Sequence, residues 1–105
     1  MDDLFQVSAQ AREGVTVVTA AGEVDVSTAP ELRSMLQDTS GTTIVVDLSQ
    51  VTFLDSTGLG VLVAASKRGD VRLVVTRAQI TKVLEVTGLS EVFSVFSTVE
   101  EAIAR

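Results

Sequence analysis

Cysteine and histidine are absent from the 105 residues, and so are tyrosine and tryptophan. Without thiol or imidazole there is no disulfide, no thiolate nucleophile, no histidine-bearing zinc site and no Ser-His-Asp triad. The aromatic complement is four phenylalanines, too few for a base-stacking platform. Eight basic residues face fourteen acids, a formal net charge of −6, so phosphate backbones are repelled and direct nucleic-acid binding is not expected. No apolar run approaches the roughly 18 to 20 residues that span a bilayer. The first residues, Met1-Asp2-Asp3, are acidic where a signal peptide is basic. The expectation is a cytoplasmic protein, without membrane contact, whose partner is another protein.

What is present is a core. Hydrophobic residues make up 46% of the chain, which argues for one packed domain over residues 1–105 rather than disorder. Alternation of Phe5 and Val7 with polar neighbours predicts an edge strand near residues 4–8. Glu13-Gly14 is a turn into the β-branched run Val15–Ala21, so the first two strands pair as a hairpin. Thr28-Ala29-Pro30-Glu31 has the form of a capping box with proline in the first turn, opening a helix with Leu32, Met35 and Leu36 inward. Ser40-Gly41 breaks that helix, and Thr43–Leu48 is apolar enough to be a central strand.

Further along, a second helix carries Leu59, Leu62 and Val63 inward and ends at Lys67-Arg68-Gly69-Asp70. Val71–Thr76 reads as a strand, and Ile80, Val83 and Leu84 mark a helix stopped at Gly88, with Leu89 folding back onto it. Val92–Phe96 is a short last strand, with Phe93 and Phe96 in the core. Thr98-Val99-Glu100-Glu101 is a second capping box before a terminal helix with Val99, Ala102 and Ile103 inside. After the opening hairpin, strands and helices alternate. The fold class is therefore α/β, a mixed and mostly parallel sheet of four to five strands with about four helices mainly on one face.

The segment Phe53-Leu54-Asp55-Ser56-Thr57-Gly58-Leu59-Gly60 carries the candidate chemistry. An apolar pair, an acid, two hydroxyls and a glycine lead into a helix-compatible run, so Asp55 or Ser56 caps a new helix. A hydroxyl there faces solvent at the positive end of the helix dipole, where an added phosphate is tolerated. Ser56 reads either as a cap or as a phosphorylation site. Asp25 ends a strand before Ser27 and Thr28, and strand-to-helix loops of a parallel sheet gather along one edge, so Asp25 and Ser56 are expected to share a surface. Glu23 and Asp47 are further carboxylates for a Mg²⁺ site, yet no spaced ligand motif is present. Gly58-Leu59-Gly60 lacks the glycine spacing and the Lys-Ser/Thr ending of a phosphate loop.

Taken in order, Gly22–Leu32, Val45-Val46-Asp47-Leu48, Phe53–Leu62, Ile80–Leu89 and Thr98–Ala102 resemble the bacterial anti-sigma factor antagonists of the STAS-domain family. The resemblance covers nearly the whole chain. It implies a protein that, unphosphorylated, binds an anti-sigma factor with serine kinase activity and frees the sigma factor. Phosphorylation then falls on the serine after the aspartate, here Ser56, and a metal-dependent serine phosphatase reverses it. The implied partner surface is Asp25, Val26, Ser27 and Thr28 with Asp55, Ser56, Thr57, Gly58 and Leu59. The resemblance implies no catalytic residue, resident metal or cofactor. One departure is the segment Lys67–Asp70, which makes the end of the Ser56 helix about one turn shorter than the family pattern. Two other readings stand beside this one: a phosphorylation-insensitive scaffold or accessory subunit, and a small Mg²⁺-dependent phosphoryl-transfer enzyme using Asp25, Asp47 and Asp55.

Overall fold

A computed structural model describes residues 5–39 and 43–105. The expected helix break at Ser40-Gly41 and the acidic Met1-Asp2-Asp3 lie outside the described residues. Five strands form one sheet in the order β1-β2-β3-β4-β5. They are β1 Phe5–Arg12, β2 Val15–Val24, β3 Ile44–Leu54, β4 Val71–Val74 and β5 Ser94–Phe96. The helices are α1 Ala29–Asp38, α2 Ser56–Ser66, α3 Ala78–Val86 and α4 Val99–Ala104. β1 and β2 are antiparallel, and every later pairing is parallel. The mixed, mostly parallel sheet is as expected.

The β1–β2 hairpin turns on Glu13 at φ 49° and Gly14 at φ 87°. Two consecutive positive φ values make a type I′ turn, whose twist matches that of the flanking strands. Alternation then sorts the sheet's two faces. Val18, Ala20, Val46, Leu73 and Val75 point to one side, where Leu32, Leu36, Leu62, Ile80 and Leu84 of α1, α2 and α3 meet them. Val15, Val17, Val45 and Val74 point to the other, where Ala102 of α4 completes a smaller cluster. Three helices thus share one face, and α4 lies on the opposite one. Leu62 and Leu73 are wholly buried, each contributing about 1.5–3 kcal/mol of transfer free energy.

β3 extends well past the expected end at Leu48, through Phe53-Leu54 to the edge of the site. On the face toward α1, α2 and α3 its buried positions run Ile44, Val46, Leu48 and then Val51 and Leu54, so a step of two becomes a step of three. The β2–β3 register explains this, shifting between Thr19 and Ala21 and again between Gly22 and Glu23. Each shift places an extra residue in β3, as a β-bulge does. At the first, the Asp47 carboxylate accepts the Ser49 N–H at 2.9 Å, and Arg77 donates to the Ser49 carbonyl at 3.2 Å. The polar Ser49-Gln50 pair is thereby kept within the strand rather than ending it.

β4 stops at Val74, two residues short of the expected end, and β5 begins at Ser94 rather than Val92. A 3-10 turn at Leu89–Glu91 occupies the space before it, following Gly88 at φ 81°. Leu89 packs against the core, as the helix stop required, and Phe93 is buried. Phe96 is half-buried beside α4. No helix among the described residues is long and apolar enough to cross a membrane.

Candidate functional site

β2 and β3 are parallel neighbours whose last paired residues are Val24 and Leu54. The residue after each is an aspartate, and the Asp55 N–H donates to the Val24 carbonyl at 3.2 Å. Asp25 and Asp55 therefore leave the same sheet edge side by side, each before a helix.

Asp55 is the N-cap of α2. With its backbone extended at φ −99° and ψ −174°, its carboxylate accepts the Thr57 N–H at 2.9 Å and the Gly58 N–H at 3.1 Å. The choice left open by the sequence is settled by geometry: the aspartate caps and the serine does not. Ser56 is the first residue of α2 and is exposed, and its hydroxyl makes no hydrogen bond among the described residues. Thr57 is half-buried, whereas Gly58 and Leu59 are buried. A Cβ placed on Gly58 would lie 2.6 Å from both Leu54 Cδ1 and Val24 Cγ1. Gly58 thus lets α2 sit directly on the last residues of both strands.

The Asp25 loop uses the same device with more bonds. Its carboxylate accepts from the Ser27 hydroxyl at 2.8 Å, the Ser27 N–H at 3.0 Å and the Thr28 N–H at 3.2 Å. These bonds, chiefly from the Ser27 hydroxyl and then its amide, hold the Asp25 carboxyl below its ordinary value of 3.8. The expected capping box at Thr28 does not form. Thr28 is already helical at φ −103° and ψ −21°, which turns its hydroxyl back toward the strand. There it accepts the Asp25 N–H at 2.9 Å and donates to the Glu23 carbonyl at 2.8 Å. At the other predicted box, Thr98 does accept the Glu101 N–H at 3.1 Å, while the Glu101 carboxylate reaches Ser97 N–H at 3.2 Å rather than Thr98.

Between these braced loops the exposed groups are the Ser56 hydroxyl, Ser27 and Val26, the last 72% accessible. Phe53, 49% accessible one residue before the Val24–Leu54 pair ends, is a neighbour the sequence did not single out. Its signal was strand parity: with Leu54 inward, Phe53 must face the other side of the sheet. Glu23, Asp25, Asp47 and Asp55 do not gather as ligands. Among the described residues, no three of the acids come close enough together to hold a metal ion.

The sequence pattern of the STAS domain matches residues 6–102. The anti-sigma-F factor antagonist RsfB of Mycobacterium tuberculosis is 34% identical over 108 aligned positions, covering 96% of this chain and 88% of that protein. An anti-sigma factor antagonist from Mycobacterium paratuberculosis superposes with a TM-score of 0.89 at 28% identity, over 95% of this chain and 92% of that one. The Bacillus cell fate determinant SpoIIAA in its phosphorylated form superposes with a TM-score of 0.68 at 25% identity, over 96% and 97% of the two chains. With this match along almost its whole length and the same fold, the chain belongs to the STAS-domain family.

Proposed function

We propose that this protein is an anti-sigma factor antagonist switched by phosphorylation of Ser56. Unphosphorylated, it binds an anti-sigma factor that is also a serine kinase, and so releases the sigma factor. The kinase transfers phosphate from ATP to the Ser56 hydroxyl, and a metal-dependent serine phosphatase restores it. The chain itself is a binding module and supplies the substrate hydroxyl. Asp25, Val26, Ser27 and Thr28 with Asp55, Ser56 and Thr57 form the partner surface, while Gly58 and Leu59 hold it from beneath.

The observation that carries the proposal is the division of labour at the start of α2. Asp55 does the capping, so Ser56 has no structural duty for its hydroxyl, which stands exposed on a rigid helix start. A phosphate there adds about −1.5 to −2 charges. The helix dipole offsets part of that charge, but the Thr57 and Gly58 amides are already taken by Asp55. The phosphate therefore stays in solvent. It leaves the fold intact and alters only the surface a partner meets. The named relatives support the antagonist role, and SpoIIAA in phosphorylated form is a precedent for this fold bearing a phosphate.

The test is a pull-down from host lysate with wild type, Ser56→Ala and Ser56→Glu. Capture of an ATP-binding anti-sigma factor by the first two, and not by Ser56→Glu, is the expected result. Equal capture by all three would favour the scaffold reading and sink the switch.

A further inference from the structure

The two edges of the sheet are treated differently. β5 is a three-residue strand, short as protected edges are. β1 is an eight-residue strand, Phe5–Arg12, paired with β2 through every residue without a register shift. It carries no proline, no lysine and no bulge, and its one charge is Arg12 at the turn. Among the described residues nothing pairs with its outer side. Such an edge presents a row of unpaired backbone donors and acceptors. We infer that β1 pairs antiparallel with β1 of a second copy of this chain, joining two sheets into one across a twofold axis.

The register follows from the hairpin. A two-residue type I′ turn closes on a hydrogen-bonded pair, here Arg12 with Val15. Even-numbered residues of β1 therefore bond to β2, and Phe5, Val7, Ala9 and Ala11 point their N–H and C=O groups outward. Directly opposed residues in an antiparallel pair share a face, so an odd-numbered residue must meet an odd-numbered one. Centring the axis on Ser8 sets Phe5 against Ala11 of the second copy, Val7 against Ala9, Gln6 against Gln10 and Ser8 against Ser8. Apolar meets apolar, amide meets amide, and no charge is opposed. Centring on Ala9 instead would leave Phe5 unpaired and bring Arg12 against Gln6. Arg12 is already engaged by Glu100 of its own α4, at 3.6 Å, and lies outside the Ser8-centred pairing.

This arrangement closes. The twofold axis consumes both β1 edges and leaves only the short β5 edges, so pairing stops at two copies. It also reverses one sheet relative to the other, so the two Ser56 loops point in opposite directions and both stay free. A single strand pairing lies at the small end of protein interfaces, below about 1,200 Å². The dimer is thus concentration-dependent, and the net charge of −6 on each copy makes it tighter as salt rises.

Sedimentation velocity of the full chain over a concentration series tests this. The wild type shifts from monomer to dimer with concentration, whereas Ala9→Pro, which removes an outward N–H and none of the β2 ladder, stays monomeric. Ser8→Glu and Ser8→Lys each stay monomeric alone, because like charges then meet at a close pair about 4.5 Å apart, and an equimolar mixture of the two restores the dimer. Circular dichroism melts establish that each variant is folded. A wild type that stays monomeric at every concentration overturns the inference. So does a folded Ser8→Glu that dimerises as the wild type does, or a mixture that fails to pair.

Discussion

Asp25 and Asp55 occupy equivalent positions on neighbouring strands, each the residue after the Val24–Leu54 pair, and each ties the loop that follows with one carboxylate oxygen. Oδ1 of Asp25 accepts the amides of Ser27 and Thr28, and Oδ1 of Asp55 accepts those of Thr57 and Gly58. The same offsets, two and three residues on, give two parallel loops with matched bracing. The loops are rigid because their backbones are tied, and Ser56 is available because it does none of the tying.

That division predicts a stability difference between adjacent residues. Asp55→Ala removes the α2 cap and is expected to cost about 0.5–2 kcal/mol in urea unfolding. Ser56→Ala is expected to stay within about 0.5 kcal/mol of wild type, as exposed substitutions do. A larger loss for Ser56→Ala would give the serine a structural role that the hydrogen bonding denies it.

The two glycines of α2 should respond oppositely to alanine. At Gly58 the added methyl collides with Leu54 and Val24 at 2.6 Å, so α2 must lift from the strands, at about 1–3 kcal/mol. At Gly60 nothing lies within 4 Å, and Gly60→Ala should stabilise by about 0.5–1 kcal/mol through helix propensity. Thermal melts of both variants check the pair, and equal shifts would contradict the close approach at Gly58.

Acid should weaken the Asp25 loop in a defined window. Its folded carboxyl lies below the ordinary 3.8, so its contribution is fully present above that value and is lost as pH falls through the folded one. The stability gap between wild type and Asp25→Asn is therefore expected to be flat at neutral pH and to close below 3.8. Unfolding measured across that range decides it, since a gap that closes near neutrality would contradict the assignment.

At the far end of the chain, Arg72 donates to the Ala102 carbonyl at 2.7 Å and to Asp70 at 2.9 Å, fastening α4 over its valine cluster. Arg72→Met should speed amide hydrogen exchange in α4 while leaving α1 to α3 protected. Uniform loss of protection would mean that α4 is integral to global stability rather than a separately fastened cover.

Much of this was legible in the sequence because local signals agreed with the fold. β-Branched runs marked the strands, apolar spacing marked α1 and α3, and Gly88 stopped α3 where a left-handed residue was needed. The placement of Asp25 beside Ser56 followed from alternation alone. What escaped was non-local. Ser49-Gln50 reads as a strand end unless two bulges are allowed for, and those exist only through pairing with β2. The Thr28 box failed because its hydroxyl is engaged by the strand it leaves, accepting the Asp25 N–H and donating to the Glu23 carbonyl. The side chosen by α4 is set by the valines it covers, which come from three different strands.

The most direct measurement adds ATP to complexes of the proposed anti-sigma kinase with wild type and with Ser56→Ala, following release and phosphate incorporation together. The account predicts that wild type gains one phosphate, mapped to Ser56, and dissociates, while Ser56→Ala gains none and stays bound. Release of Ser56→Ala by ATP would contradict it.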